Sequence, residues 1–359
     1  VTSAAIEVSA RIRDMRAAQI RTRRLFLVCL AAGLCLASLA GLVVGAMPIP
    51  LGDVFGALSP FHEAQGPYGE IVQSIRLPRL VLGLCVGAVL GLSGAALQGL
   101  FRNPLADPGI IGVSSGAALG VAFVIVLGNA VMPGALAIAG PFALPVAAFG
   151  GGMAALLGVY ALSRRAGALS GSSLILAGIA INAIAGAALG YLSFASTDEQ
   201  LRQVTFWTLG SLGRTNWASL IPAAIAMIAA SVLLLRLAPV LNVYLLGERE
   251  AEHLGVNAGR LKNQVIMLSA LGAGAAVAVS GIIGFVGLAA PHIVRLFAGA
   301  DHRVVLPGSA LLGALLLVSA DLIARTAVAP AELPVGILTS ALGGPFFLWL
   351  LSRYRRELL

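Results

Sequence analysis

The sequence predicts an all-α polytopic membrane protein of about ten transmembrane helices, and three observations carry that expectation. Of 359 residues, 59% are hydrophobic and 11% charged, with a mean hydropathy of +0.97. A soluble domain holds about 25% charged residues, enough to cover a wetted surface; this chain does not. The apolar residues fall into runs near the ~20 residues that one bilayer crossing requires. Threaded through a membrane, those runs sort the basic residues strongly to one side.

Residues 1–24 form a polar tail rich in arginine (Arg11, Arg13, Arg16, Arg21, Arg23, Arg24) ahead of the apolar run 25–47. A secretory signal core is only about 7–15 residues long, so this longer run reads as a first spanning helix with the tail inside. Further spans are expected at 80–101, 109–128, 135–162, 172–193, 217–238, 263–280, 282–297, 304–323 and 334–352, closing a membrane domain over 25–352 before a second basic tail at 353–359. As one helix, 263–297 would run about 50 Å, too long for one crossing and tight for two. Ser280-Gly281 is therefore read as a break between two short or interrupted helices.

With the N-terminus inside, the inner side collects the six tail arginines, Arg102, Arg164, Arg165, Arg236, Arg249, Arg260, Lys262, Arg295, Arg303, Arg353, Arg355 and Arg356. The outer side keeps Arg76, Arg79, Arg202, Arg214 and Arg325, a split of 18 against 5 that uses all 23 basic residues. Ten spans with both ends inside satisfy the positive-inside rule. The net charge of +8 thus orients helices, and nucleic acid is excluded as a partner. Trp207 and Trp217 fall near the outer boundary, where indole rings commonly anchor. Gly83, Gly87, Gly91 and Gly94 form a small-residue stripe of the kind that lets helices approach closely. Cys29, Cys35 and Cys85 lie in apolar runs and read as small hydrophobes.

None of the 15 acidic residues falls in the middle of an expected span: Asp107 sits in an inner turn, Asp321 and Glu332 near the outer face. Ion-coupled carriers place an ionisable group near the midplane, so the pattern argues against ion-driven transport. No G-x-x-x-x-G-K-[S/T] phosphate loop occurs, and the lone lysine lies in Gly259-Arg260-Leu261-Lys262-Asn263. If ATP drives this protein, another chain binds it and docks on the inner face. The amphipathic inner segment Leu245–Val256, bounded by glycines, reads either as that docking element or as a solvated connecting helix. Arg76, Arg79 and Arg325 likewise have two readings. They are interfacial residues with a local Asp321–Arg325 pair at i,i+4, or a cationic rim receiving acidic residues of a soluble partner. Gly91-Leu92-Ser93-Gly94 with His292 matches a nucleophile-and-base pattern, of a kind that arises by chance in a glycine-rich chain.

Longer matches are more specific. Arg76-Leu77-Pro78-Arg79, the run Gly94–Gly109 containing Phe101-Arg102-Asn103-Pro104-Leu105-Ala106-Asp107-Pro108-Gly109, and Gly112-Val113-Ser114-Ser115-Gly116-Ala117 resemble the iron-complex and cobalamin permeases of bacterial ABC importers. So do Ser280–Leu288, Pro291-His292, Asp301-His302-Arg303, Ala331-Glu332-Leu333-Pro334-Val335-Gly336 and Gly343-Gly344-Pro345. The resemblance implies a type II ABC importer permease fold with an internal antiparallel repeat. It implies a homodimer in the bacterial inner membrane with both termini cytoplasmic and a path along the dimer axis. Two cytoplasmic ATPase subunits would bind ATP and Mg, and a periplasmic substrate-binding protein would deliver cargo; the chain itself would hold no cofactor and catalyse no reaction. It places Arg76, Arg79 and Arg325 at binding-protein docking positions. Gly247, Glu248, Arg249, Ala251, Glu252, His253, Leu254 and Gly255, within 245–260, fall on the ATPase coupling segment. Gly171, Ser172 and Ser173 fall near the cytoplasmic gate, with Gly171 where the cobalamin permease has threonine. The motifs look most like the haem branch, with ferric siderophores and cobalamin as alternatives. No His or Tyr is expected mid-span to ligate haem iron, and His62 reads as a surface residue of the outer loop.

Overall fold

A computed structural model of the chain describes residues 2–45, 47–59, 67–165, 168–169, 171–329 and 331–357; His62 lies outside them. The architecture is helical throughout, apart from a two-residue antiparallel ladder pairing Arg164–Arg165 with Ala168–Leu169. The helices are α1 Thr2–Val43, α2 Leu51–Leu58, α3 Pro67–Ile71, α4 Leu77–Phe101, α5 Val113–Val131, α6 Pro133–Ala139, α7 Ala143–Ser163 and α8 Gly171–Phe194. They continue with α9 Asp198–Thr208, α10 Trp217–Arg236, α11 Ala238–Tyr244, α12 Glu248–His253, α13 Ala258–Ser280, α14 Val286–Ala298, α15 His302–Thr326 and α16 Val335–Glu357. Among the described residues eight helical stretches are long and apolar enough to cross a membrane, and α14 and the Val335–Trp349 part of α16 are shorter apolar helices. These ten match the ten expected spans in order. Helix α1 runs unbroken from Thr2 to Val43, with its apolar part at Ala17–Val43.

The core is built on α4, which is buried along most of its length and runs antiparallel to α15. The glycine stripe explains how they meet. A Cβ at Gly87 would collide with the carbonyl of Gly313, one at Gly91 with that of Ser309, and one at Gly94 with that of Gly287 on α14. Backbones therefore touch backbones, which is how helices gain dispersion contact in lipid, where no hydrophobic force draws them together. The α5–α7 pair repeats the device with Gly116 against Gly151 and Gly120 against Ala147. Leu82, Val86, Val89, Leu92 and Leu97 then fill the remaining space with full burial.

The break at Ser280-Gly281 is real and sharp. Gly281 adopts φ +70°, and the space a side chain would need is filled by the Trp207 carbonyl and the Gly210 Cα. Residues 281–285 then run without helix until Phe285, itself at φ +67°, opens α14. Because these residues are not helical, only 13 remain for α14, about 20 Å of helix, too short to span alone.

At the opposite end of α15 from its C-terminus, Asp301 caps the helix and gathers two other elements. Its carboxylate accepts from Asn242 of α11 (2.7 Å), from the Arg303 amide (3.0 Å) and from Arg23 of α1 (3.3 Å), while Arg23 also bonds the Ala298 carbonyl (2.9 Å). Burial pushes the carboxyl pKa up, but the bonds from Asn242 and Arg303 and the nearby guanidinium charges outweigh it, so the net shift is downward.

Two measurements test this packing. Gly87→Ala should cost about 1–3 kcal/mol through overpacking, whereas Gly52→Ala on α2, with open space around it, should be neutral or stabilising by up to about 1 kcal/mol; equal thermal stabilities in detergent would refute the close approach. Asp301→Asn should cost about 1 kcal/mol at pH 7. A depressed folded pKa gives stability that is present above the unfolded value, about 3.9, and lost as pH falls through the folded one. The difference should therefore shrink below pH 4, and a pH-independent gap would contradict the charge-based account.

Candidate functional site

Chemistry-bearing side chains gather at both ends of the bundle. At one end, hereafter the arginine end, a π-helical turn at Val72–Arg76 leads into α4 and sets Arg76 beside the C-terminus of α1. Arg76 donates to the carbonyls of Leu42, Val43 and Met47, and Arg325 donates to that of Gly41. Those of Gly41, Leu42 and Val43 are carbonyls a helix C-terminus leaves without intrahelical partners, while Met47 lies just beyond the helix; two cations there also oppose the negative end of the α1 dipole.

Arg79 is engaged differently. Its Nε and Nη2 edge meets Asp321 of α15 at 2.9–3.0 Å, and its Nη1 meets both oxygens of Glu332 at 2.8 and 2.9 Å. The side chains of Arg79 and Asp321 are 7% and 10% exposed, while Glu332 is 48% exposed. The sequence offered a local Asp321–Arg325 pair or a cationic rim as readings. Asp321 bonds to Arg79 and not to Arg325, and all three arginines are buried and bonded within the chain; among the described fully buried side-chain atoms, the Arg325 Nε lacks a partner. Charges so buried are paired because an unpaired one would cost several kcal/mol.

At the other end, α12 is a six-residue helix bracketed by Gly247 at φ +138° and Gly255 at φ +86°. Glu248, Arg249, Glu252 and His253 are exposed, and so are Leu245, Leu246 and Leu254. Ala251 and Gly247 are buried, Ala251 within the apolar core. The segment is anchored rather than loose: Glu248 pairs with Lys262 of α13 and accepts from the Tyr244 hydroxyl, and Arg102 lies over the Tyr244 ring at 5.5 Å. Burial, with the nearby Glu248 carboxylate, pushes the Tyr244 pKa up to about 12, so the phenol stays a donor. Of the gate positions, Ser173 is half-buried at the start of α8; the side chains of Gly171 and Ser172 lie outside the described residues.

Two connections enter the bundle from opposite ends. Residues 102–112 include a 3₁₀ turn at Pro108–Ile111, and α5 begins at Val113. Residues 281–285, without helix, form the second connection and lead into α14. Both carry Gly-Ile-Ile-Gly, at 109–112 and 281–284. The backbone of each connection is closely packed by a glycine: Gly178 of α8 against the Ile110 carbonyl, Gly336 of α16 against the Leu209 and Ile282 carbonyls. Asp107 joins the two. One oxygen accepts from the Gly109 amide (2.8 Å) and the other lies against Gly287 in the first turn of α14, where helix dipoles favour an anion. Burial raises the Asp107 pKa, and the Gly109 bond works in the opposite direction. The motif was visible in the sequence; its partner on α14, 180 residues away, was not.

An apolar cavity of about 740 Å³ opens between α5, α6, α7 and α8, walled largely by Gly and Ala with Phe123, Met132 and Ile184. Among the described residues no cluster of three metal-ligating side chains occurs. Ser93 and His292 make no catalytic pair: the Ser93 hydroxyl has no hydrogen-bond partner, and the His292 ring meets Phe346 edge-on.

The comparisons with known proteins agree with this anatomy. Residues 30–353 match the FecCD transport family. The chain is 50% identical over 293 residues to a hemin transport system permease of Yersinia pestis, covering 79% of this chain and 84% of that one. It is 44% identical over 281 residues to a cobalamin import system permease of Halobacterium salinarum, covering 78% and 73%. A solved structure described as an inward-facing ABC transporter of metal-chelate type superposes with a TM-score of 0.79 at 34% identity, covering 91% of this chain and 98% of that one. With nine-tenths of its length matched by one family and its bundle reproduced in a solved relative, this chain belongs to the FecCD transport family, as a multi-pass permease of an ABC importer.

Proposed function

We propose that the permease carries haem into the cell as a homodimer, with the arginine end facing a periplasmic binding protein and the α12 end facing two cytoplasmic ATPase subunits. The observation that carries the haem assignment is the 50% identity with the hemin permease across 84% of that protein. Both chain termini would lie on the cytoplasmic side, as the distribution of arginines favours. The apolar cavity and the glycine-lined walls support a path of weak contacts for a bulky, largely apolar cargo.

ATP binding and hydrolysis on the partner chains would supply the free energy. Exposed Leu246 and Leu254 on either side of the charged α12 give a partner groove an apolar contact, and the Glu248–Lys262 and Tyr244–Arg102 contacts pass its motion to α13 and α4. The nucleotide shifts the balance between inward- and outward-open packings only as far as it binds them differently. At the arginine end, Arg79 is the residue that a partner's carboxylate would reach, beside Gly213, with Arg76 and Arg325 holding the α1 terminus in place.

Uptake into proteoliposomes tests the assignment. Haem should accumulate only with the ATPase, ATP and a haem-loaded binding protein all present; accumulation by the permease alone, or uptake of cobalamin or a ferric siderophore in place of haem, would overturn it. For coupling, Leu246→Ser with Leu254→Ser should lower transport about tenfold or more, the loss of two buried leucine contacts at about 1.5 kcal/mol or more each being ample. Thermal stability should stay unchanged, and normal transport in that double variant would remove α12 from the coupling path.

A further inference from the structure

The geometry of Arg79 points to an exchange of carboxylates, an inference that rests on the docking reading above. We propose that Glu332 is an internal stand-in for the binding protein's acid: it occupies Arg79 in the free permease and is displaced when the partner docks. The guanidinium has two working edges. The edge facing Asp321 is sealed, with both side chains at a tenth exposed or less. The Nη1 corner is bonded to the Glu332 carboxylate, which is 48% exposed and held at 2.8 Å. An incoming carboxylate would therefore reach Arg79 where Glu332 now sits. The approach is kept open by Gly213, since a Cβ there would lie 2.8 Å from a Glu332 oxygen and 3.3 Å from Arg79 Nη1.

The exchange matters because of where Glu332 is attached. It lies on the connection between α15 and α16, and the next residue, Leu333, donates its amide to the Ala324 carbonyl in the last turn of α15 at 3.1 Å. Three residues further on, α16 has begun, and Gly336 packs against the carbonyls of Leu209 and Ile282. Displacing Glu332 frees one of the ties that hold the start of α16 against the broken segment 281–285. Docking would then loosen the arginine end at the point where α16 meets α14, because Gly343 of α16 packs on the Phe285 ring. Arg79 stays paired throughout, so no buried charge is stranded at any stage.

The permease dimer in nanodiscs, with a haem-loaded periplasmic binding protein as probe, tests the idea at low ionic strength. Glu332→Gln removes the competitor and should tighten docking up to about fivefold, the strength of one half-exposed ion pair. Arg79→Lys keeps a cation for Asp321 but loses the fork; it should weaken docking, and on that background Glu332→Gln should change affinity by less than about twofold. Hydrogen exchange at the Leu333 amide should speed up in Glu332→Gln alone and in the wild type once the partner binds. Equal tightening by Glu332→Gln on both backgrounds would reveal a general charge effect and overturn the exchange. So would unchanged affinity in Glu332→Gln, or a Leu333 amide indifferent to docking, when Arg79→Lys still weakens binding. Docking indifferent to Arg79→Lys would instead sink the docking reading itself.

Discussion

The contact on which the rest of this structure depends is the backbone-to-backbone approach of α4 and α15. It is possible only because Gly87, Gly91 and Gly313 carry no side chains at the crossing. In lipid, two helices gain nothing by hiding leucines from water, so attraction must come from dispersion at short range. Once that seam is closed, the ends of the two helices are fixed in register. Arg79 then falls opposite Asp321 at one end, and Gly99 falls opposite His302 at the other. The salt bridge does not hold the helices together so much as report that they are already there.

The same seam explains the broken helix α14. Gly94 accepts the Gly287 carbonyl into the space its own Cβ would fill, so the first turn of α14 sits against the deep part of α4 rather than at a membrane surface. Irregular backbone at that depth survives only where protein buries it and satisfies its polar groups. The molecule meets the requirement locally: Ser211 donates its amide to the Ser280 carbonyl, Val286 bonds back to Gly284, and Asp107 fills the positive end of the helix. The left-handed Phe285 is strained backbone of the kind that persists where its surroundings over-determine it, here by packing on Gly343 and Phe347.

Much of this was legible from residue order. Ten apolar segments, the break at Ser280-Gly281 and the packing role of the Gly83–Gly94 stripe follow from span length, glycine chemistry and periodicity, all local properties. What stayed hidden was long-range. Asp321 and Arg325 are four apart on one helix, a spacing that invites pairing. Yet Asp321 belongs to Arg79, 242 positions away, because the α4–α15 crossing brings that guanidinium closer. Helix α9 was missed although Thr197 and Gln200 form a capping box; it is polar and short, and a search for spans looks past such helices. Ala251, grouped with the coupling residues by its place in the motif, proved to be the buried anchor beneath their exposed faces.

The two ends differ in how they handle charge, and the difference fits opposite mechanical duties. At the α12 end the charged groups are mostly exposed, the apolar Leu246 and Leu254 protrude, and the pairs that exist are rim contacts of about 0–1 kcal/mol each. Such a surface can be gripped and released at little internal cost, which suits a part moved by an engine on another chain. At the arginine end the charges are internal, three guanidinia against two carboxylates and the carbonyls of α1. Removing Asp321 there leaves a buried guanidinium without its buried partner and costs about 3–5 kcal/mol, so that end cannot yield by simply losing a contact. It can yield by trading one. A half-exposed carboxylate on a connection is the member that can be traded without stranding the others, and only Glu332 meets that description. Rigidity at this end and ready exchange at a single point are therefore the same fact seen from two sides.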